Sequence, residues 1–108
     1  MRKEVDYKAL GLRIKEVRQE KRMTQDFLAE AVGCNTSHIS NIENNYTKPS
    51  LNVLLAIANT LQTSIDYLLS DQYYGGSDVL EKEILRAVHG VEAKQKDKIL
   101  KIIEIIKN

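Results

Sequence analysis

From Thr24 to Asn44 the sequence TQDFLAEAVGCNTSHISNIEN sets two helix-capping residues, Thr24 and Asn35, on either side of one glycine, Gly33. A capping side chain accepts an otherwise unpaired N–H at a helix start, and glycine readily takes the left-handed backbone that ends a helix. The stretch therefore reads as two short helices bent about Gly33. Phe27, Leu28, Ala31 and Val32 are expected to supply the inward face of the first, and Ile39 and Ile42 to anchor the second. Two helices crossing at a large angle need a small residue at their contact, a role that Ala29, four residues before Gly33, can fill. The rest of the chain has to pack around this corner.

The flanking sequence is helical in pattern as well. With one Pro and five Gly in 108 residues, long segments are free of breakers, and no run alternates apolar and polar residues as a half-buried strand does. Leu10, Ile14 and Val17 form one stripe on a helix from about Asp6 to Lys21. Pro49 interrupts any helix through it, and Ser50 can cap a fourth helix whose apolar residues, Leu51 to Leu61, lie nearly all round and suggest a central position. Ser64 can cap a short fifth helix with Ile65, Tyr67, Leu68 and Leu69, where the compact unit is expected to close. Gly75 and Gly76 mark a linker. Beyond it, Val79 to Val88 form one amphipathic segment, and a break at His89–Gly90 precedes a longer helix from about Glu92 to Lys107.

Several function classes are excluded early. A hydrophobic content of 43% beside 29% charged residues suits a folded chain. The start lacks the apolar run of a signal peptide, and no segment approaches the roughly 18 to 20 apolar residues that span a bilayer. The single cysteine, Cys34, cannot form an internal disulfide, so a cytoplasmic location is expected, with no membrane. Beside Gly33, Cys34 reads as a small packing residue in preference to a redox switch. Two histidines, no Gly-rich loop after a strand and no acid pair at catalytic spacing leave no catalytic residues, no metal site and no cofactor to expect. The net charge of +1 does not by itself advertise a nucleic-acid ligand. Bases do outnumber acids before Thr24.

If Ile39 and Ile42 face the core, then Thr36, Ser37, Ser40, Asn41 and Asn44 face away. Hydroxyls and amides can match the donor and acceptor patterns of major-groove base edges, though such a face also suits water alone. The surrounding residues decide between the two. Arg13-Ile14-Lys15, Arg18, Thr24-Gln25, Leu28-Ala29, Val32-Gly33, Ile39-Ser40, Ile42-Glu43-Asn44, Pro49-Ser50, Leu54 and Ile65 to Leu69 together resemble the helix-turn-helix of the lambda-repressor/Cro/Xre family, over roughly Leu10 to Leu69.

The resemblance implies a five-helix lambda-repressor-like DNA-binding domain in residues 1–70; with the glycine-marked linker over 71–78 and the helical C-terminal segment in 79–108 read from their own pattern, the expected fold is all-α. It implies base reading by Thr36, Ser37 and Asn41 on the helix Thr36–Asn44. Gln25, Asn44 and the loop from Tyr46 to Lys48 match positions that touch the DNA backbone, to which Arg13 is added, while His38 is a phosphate contact or a bystander. Arg18 and Glu43 match a pair that bridges the first and third helices, a structural role shared with Ala29 and Gly33. Asn45 stands where the family often has Gly, and can take the left-handed turn at some cost.

In the last helix Ile99, Leu100, Ile102, Ile103, Ile105 and Ile106 leave only Lys98, Lys101, Glu104 and Lys107 for water. That is more apolar surface than one neighbouring helix covers, and a second copy of the chain is the expected partner; folding back on its own domain is the alternative. The expectation is a non-enzymatic, sequence-specific DNA-binding regulator of repressor type, acting as a homodimer on a near-palindromic operator in double-stranded DNA. The rival is a protein-interaction module of the same fold, such as an antitoxin or polymerase-linked adaptor, with an unknown protein partner.

Overall fold

The computed structural model describes residues 4–72 and 79–108, and all the regular structure in them is helical. The chain divides into two compact units, Met1–Gly76 and Ser77–Asn108. In the first, α1 (Tyr7–Glu20), α2 (Gln25–Val32), α3 (Thr36–Glu43), α4 (Leu51–Thr60) and α5 (Ile65–Leu68) are followed by a 3-10 turn at Ser70–Gln72. The second unit holds α6 (Val79–His89) and α7 (Ala93–Lys107). Of the linker expected over 71–78, only Asp71 and Gln72 fall within the described residues, and both belong to the 3-10 turn. None of the described helices is long and apolar enough to cross a membrane.

Local side-chain chemistry starts each helix of the first unit. Asp6, Thr24, Asn35, Ser50 and Ser64 each accept the backbone N–H three residues on, from Ala9, Phe27, His38, Val53 and Tyr67. These bonds satisfy one of the donors that a helix start leaves unpaired.

Four of the helices also end alike. A bond closes from Met23 N–H to Arg18 O, Cys34 to Ala29, Tyr46 to Asn41 and Thr63 to Ala58, each enclosing a second bond three residues long. This is the Schellman cap, which needs a left-handed residue inside it. Arg22, Gly33, Asn45 and Gln62 take that conformation, with φ of 58°, 87°, 62° and 56°. Asn45 thus makes the turn in the manner expected of it, whereas Arg22 and Gln62 do so without glycine or asparagine.

Leu10, Ile14 and Val17 of α1 meet Leu28 and Ala29 of α2, Ile39 and Ile42 of α3, Leu54, Ile57 and Ala58 of α4, and Leu61, Tyr67 and Leu68 in one buried cluster. Two expected faces are corrected. In α2, Phe27 and Ala31 are exposed, and Leu28 and Ala29 point inward. Leu51 and Leu55 of α4 are also exposed, so α4 buries one face and is not wrapped on all sides. The compact unit also runs past Leu69: Gln72 accepts the Asp6 N–H at 2.7 Å and returns an amide N–H to Asp6 O at 3.1 Å.

Candidate nucleic-acid interface

The position of α3 is set from beneath. Ile39 and Ile42 are fully buried, and Gly11 of α1 lies directly under the end of α3. A Cβ at Gly11 would stand 2.4 Å from Ile42 O and 2.8 Å from Glu43 O. Only a hydrogen fits there, so the α1 and α3 backbones touch. Sequence periodicity gave no sign of this, because a glycine inside a helix looks merely unfavourable until its neighbour is known.

Glu43, the last residue of α3, is 2% exposed and bound on three sides. Arg18 donates Nε to Oε2 at 2.7 Å and Nη2 to Oε1 at 3.1 Å. Gln25 donates Nε2 to the same Oε1 at 3.0 Å. One buried carboxylate thus ties α1 and the start of α2 to the end of α3. Arg18 Nη1 also donates to Met23 O at 2.8 Å, so the same guanidinium braces the turn between α1 and α2.

With that underside fixed, α3 presents Ser37 and Asn41 to solvent, Asn44 is exposed at its C-cap, and Thr36, His38 and Ser40 are half-buried. Thr36 Oγ1 donates to Asp26 Oδ1 at 2.6 Å, and Ser37 Oγ to Asn35 Oδ1 at 2.9 Å. Asn44 Nδ2 donates back to Ser40 O at 2.9 Å. The Asn41 side chain is exposed on the same helix, and its carbonyl closes the turn by accepting from Tyr46 and Thr47. Beyond that turn, Tyr46 is 81% exposed. Lys48 is exposed too, and its Nζ lies 5.1 Å from the centre of the Tyr7 ring, which a cation–π attraction favours.

Arg13 does not join this surface. It is 7% exposed, and its guanidinium donates to Tyr67 O at 2.9 Å and Ser70 Oγ at 3.1 Å, pairs with Asp71, and stacks 5.0 Å from the Tyr67 ring. Its expected role as a DNA-backbone contact is therefore corrected: Arg13 fastens α1 to α5 and the 3-10 turn. Its partners stand 54 to 58 residues away in sequence, beyond the reach of any local pattern. Asp26, whose carboxylate meets Thr36, and Tyr7 were missed in the sequence for the same reason.

Gly33 holds its left-handed turn with open space where a Cβ would stand, so conformation alone explains it. Ala29 is 2% exposed at the crossing. Cys34 packs half-buried against the core, and desolvation there pushes its thiol pKa up, which makes the reactive thiolate scarcer at neutral pH.

In the second unit neither helix buries a residue. Ile99 is half-buried, while Leu100, Ile102, Ile103, Ile105 and Ile106 are exposed, the last two at 74% and 76%.

A capped pair of short helices around a left-handed glycine, with a polar outer helix braced by a buried Arg–Glu pair, defines a helix-turn-helix protein. Residues 14–68 match the helix-turn-helix family model. The chain is 34% identical over 93 residues to the HTH-type transcriptional regulator SinR of Bacillus subtilis strain 168, covering 80% of this chain and 84% of that one. It is 33% identical over 63 residues to the immunity repressor protein of Bacillus phage phi105, which is 58% of this chain and 44%, less than half, of the phage protein. The crystal structure of the P22 c2 repressor in complex with a synthetic operator superposes with a TM-score of 0.53 at 38% identity, over 56% of this chain and 91% of that one. The chain belongs to the lambda-repressor/Cro/Xre-type helix-turn-helix family of transcriptional regulators.

Proposed function

We propose that this chain is a DNA-binding transcriptional regulator, of repressor type, that occupies a near-palindromic operator as a homodimer. The observation that carries this is the two-sidedness of α3. Its inner residues, Ile39, Ile42 and Glu43, are buried and fixed, while Thr36, Ser37 and Asn41 stand outward. A rigid helix bearing hydroxyls and an amide on its free face suits the major groove, where base edges offer matching donors and acceptors.

Thr36, Ser37 and Asn41 then read bases. Gln25, Asn44, Tyr46 and Lys48, with His38 at the margin, contact phosphates and set register. Gln25 can do so while still bonded to Glu43, because that bond uses one of its two Nε2 hydrogens and leaves the other to donate to a phosphate oxygen. Regulation follows from occupancy, without covalent chemistry, in the cytoplasm where the DNA is.

α3 itself carries no Lys or Arg, so one copy gains little from phosphate neutralisation. Pairing two copies supplies the missing affinity. The exposed isoleucines of α7 offer the surface for it, since apolar area removed from water stabilises by about 25 cal/mol per Å2. Two recognition helices would then enter successive major grooves about 34 Å apart.

Selection of bound sites from a random DNA pool tests the proposal. An inverted repeat with half-sites about one helical turn apart is expected, and recovery of no enriched sequence contradicts it. The same uncovered α7 face would serve a protein-interaction module. Retention on mixed duplex DNA that falls steeply with salt favours the regulator; no retention at low salt favours the module.

A further inference from the structure

The hydrogen bonds made by Thr36 and Ser37 determine what the reading face can offer a base. A carboxylate oxygen can only accept, so in the 2.6 Å bond to Asp26 Oδ1 the Thr36 hydroxyl is the donor. Asn35 Oδ1 accepts the His38 backbone N–H at 2.9 Å. That contact identifies the Asn35 atom as the carbonyl oxygen and not the amide nitrogen, so Ser37, 2.9 Å from it, must donate as well. A hydroxyl has one hydrogen and two lone pairs. With both hydrogens turned toward the protein, each oxygen can face a ligand only as an acceptor.

We propose that Asp26 is a positioning residue that holds Thr36 in this acceptor state, so that Thr36 and Ser37 select bases whose major-groove edge donates. On the contacted strand these are adenine, through N6, and cytosine, through N4; guanine and thymine present acceptors there and are disfavoured. This rests on the proposal that α3 reads DNA. In the free chain both bonds are exposed and water competes for them. A duplex seated on α3 excludes that water, which strengthens a bond to a carboxylate in particular. The Asp26 charge repels the phosphates of every duplex alike, so it lowers affinity without altering the choice of base.

The test uses the full chain and the site recovered from the random pool. The base pair whose preference collapses in Thr36→Val, which keeps the shape and loses the hydroxyl, marks the position under Thr36. There the wild type should prefer adenine or cytosine by about fivefold to tenfold over guanine or thymine. Replacing that adenine by purine, or cytosine by 2-pyrimidinone, removes the donating amino group and should abolish the preference. Asp26→Ala releases the Thr36 hydrogen, and the preference at this one position should shrink toward unity while others hold. In the Thr36→Val background, Asp26→Ala should change no preference.

A preference for thymine at that position, an unchanged preference in Asp26→Ala, or a change that persists in the Thr36→Val background overturns the inference. Site-specific binding with any of these results leaves the DNA-reading proposal standing. Failure of the wild type to retain any duplex overturns both. Circular dichroism and urea melting confirm that the variants, both at surface positions, remain folded.

Discussion

Arg18 and Glu43 form a two-pronged ion pair, 2.7 Å and 3.1 Å long, that closes the underside of α3 against α1. Both residues are under a tenth exposed. Removing one partner strands the other charge away from water, so Glu43→Ala should lose about 3–5 kcal/mol of stability. Arg18→Met with Glu43→Leu, which replaces both charges by apolar groups of similar size, should recover most of that. Urea denaturation of the single and double variants measures the difference; a fully stable Glu43→Ala would show that the pair does not hold α3.

Gly11 and Gly33 are small for different reasons, and alanine should separate them. At Gly11 the added carbon meets the Ile42 and Glu43 carbonyls within 3 Å. Gly11→Ala should force α1 and α3 apart at a cost of about 2–3 kcal/mol. At Gly33 nothing lies within 4 Å and only the φ of 87° resists a side chain. Gly33→Ala should cost about 1 kcal/mol. Thermal melts of both variants check the order, which reverses if crossing geometry is unimportant.

Arg13 and Lys48 are both basic, but only Lys48 should matter to the salt dependence of DNA binding. Lys48→Ala should reduce the slope of log affinity against log salt by about 1 for each half-site, about 2 for the operator-bound dimer. Arg13→Ala should leave the slope unchanged and lower the urea midpoint, because its guanidinium is spent on Tyr67, Ser70 and Asp71. A reduced slope in Arg13→Ala would return that residue to the interface.

Placing aspartates at Ile102 and Ile106, which are 56% and 76% exposed, should leave the helices folded and convert the proposed dimer to a monomer in sedimentation. Operator affinity should fall with it. An unchanged dimer would remove α7 from the proposed pairing surface.

The parts of this fold legible in the sequence are those set by near neighbours. Thr24, Asn35, Ser50 and Ser64 could be read as caps because each bonds a donor three residues on. Gly33 was legible because a left-handed turn favours glycine. Arg22 and Gln62 make the same turn and gave no signal, since neither residue type favours the left-handed conformation that the backbone bonds closing each helix require. Phe27, Leu51 and Leu55 misled because apolar character predicts burial only when something covers it. At the candidate site, the outward face of α3 followed from the spacing of Ile39 and Ile42. The partners of Arg13, the Gly11 contact and the Asp26–Thr36 bond depend on which helices meet, and no single segment encodes that.

In the proposed function the outer face of α3 chooses sequence. The most direct test is equilibrium binding of the full chain and of Asn41→Ala to the selected site and to a scrambled duplex of equal length. Asn41 is exposed and outside the core. Its loss should weaken binding to the site by about 1–3 kcal/mol and leave binding to the scrambled duplex nearly unchanged. Equal weakening on both duplexes would contradict a sequence-reading role for α3.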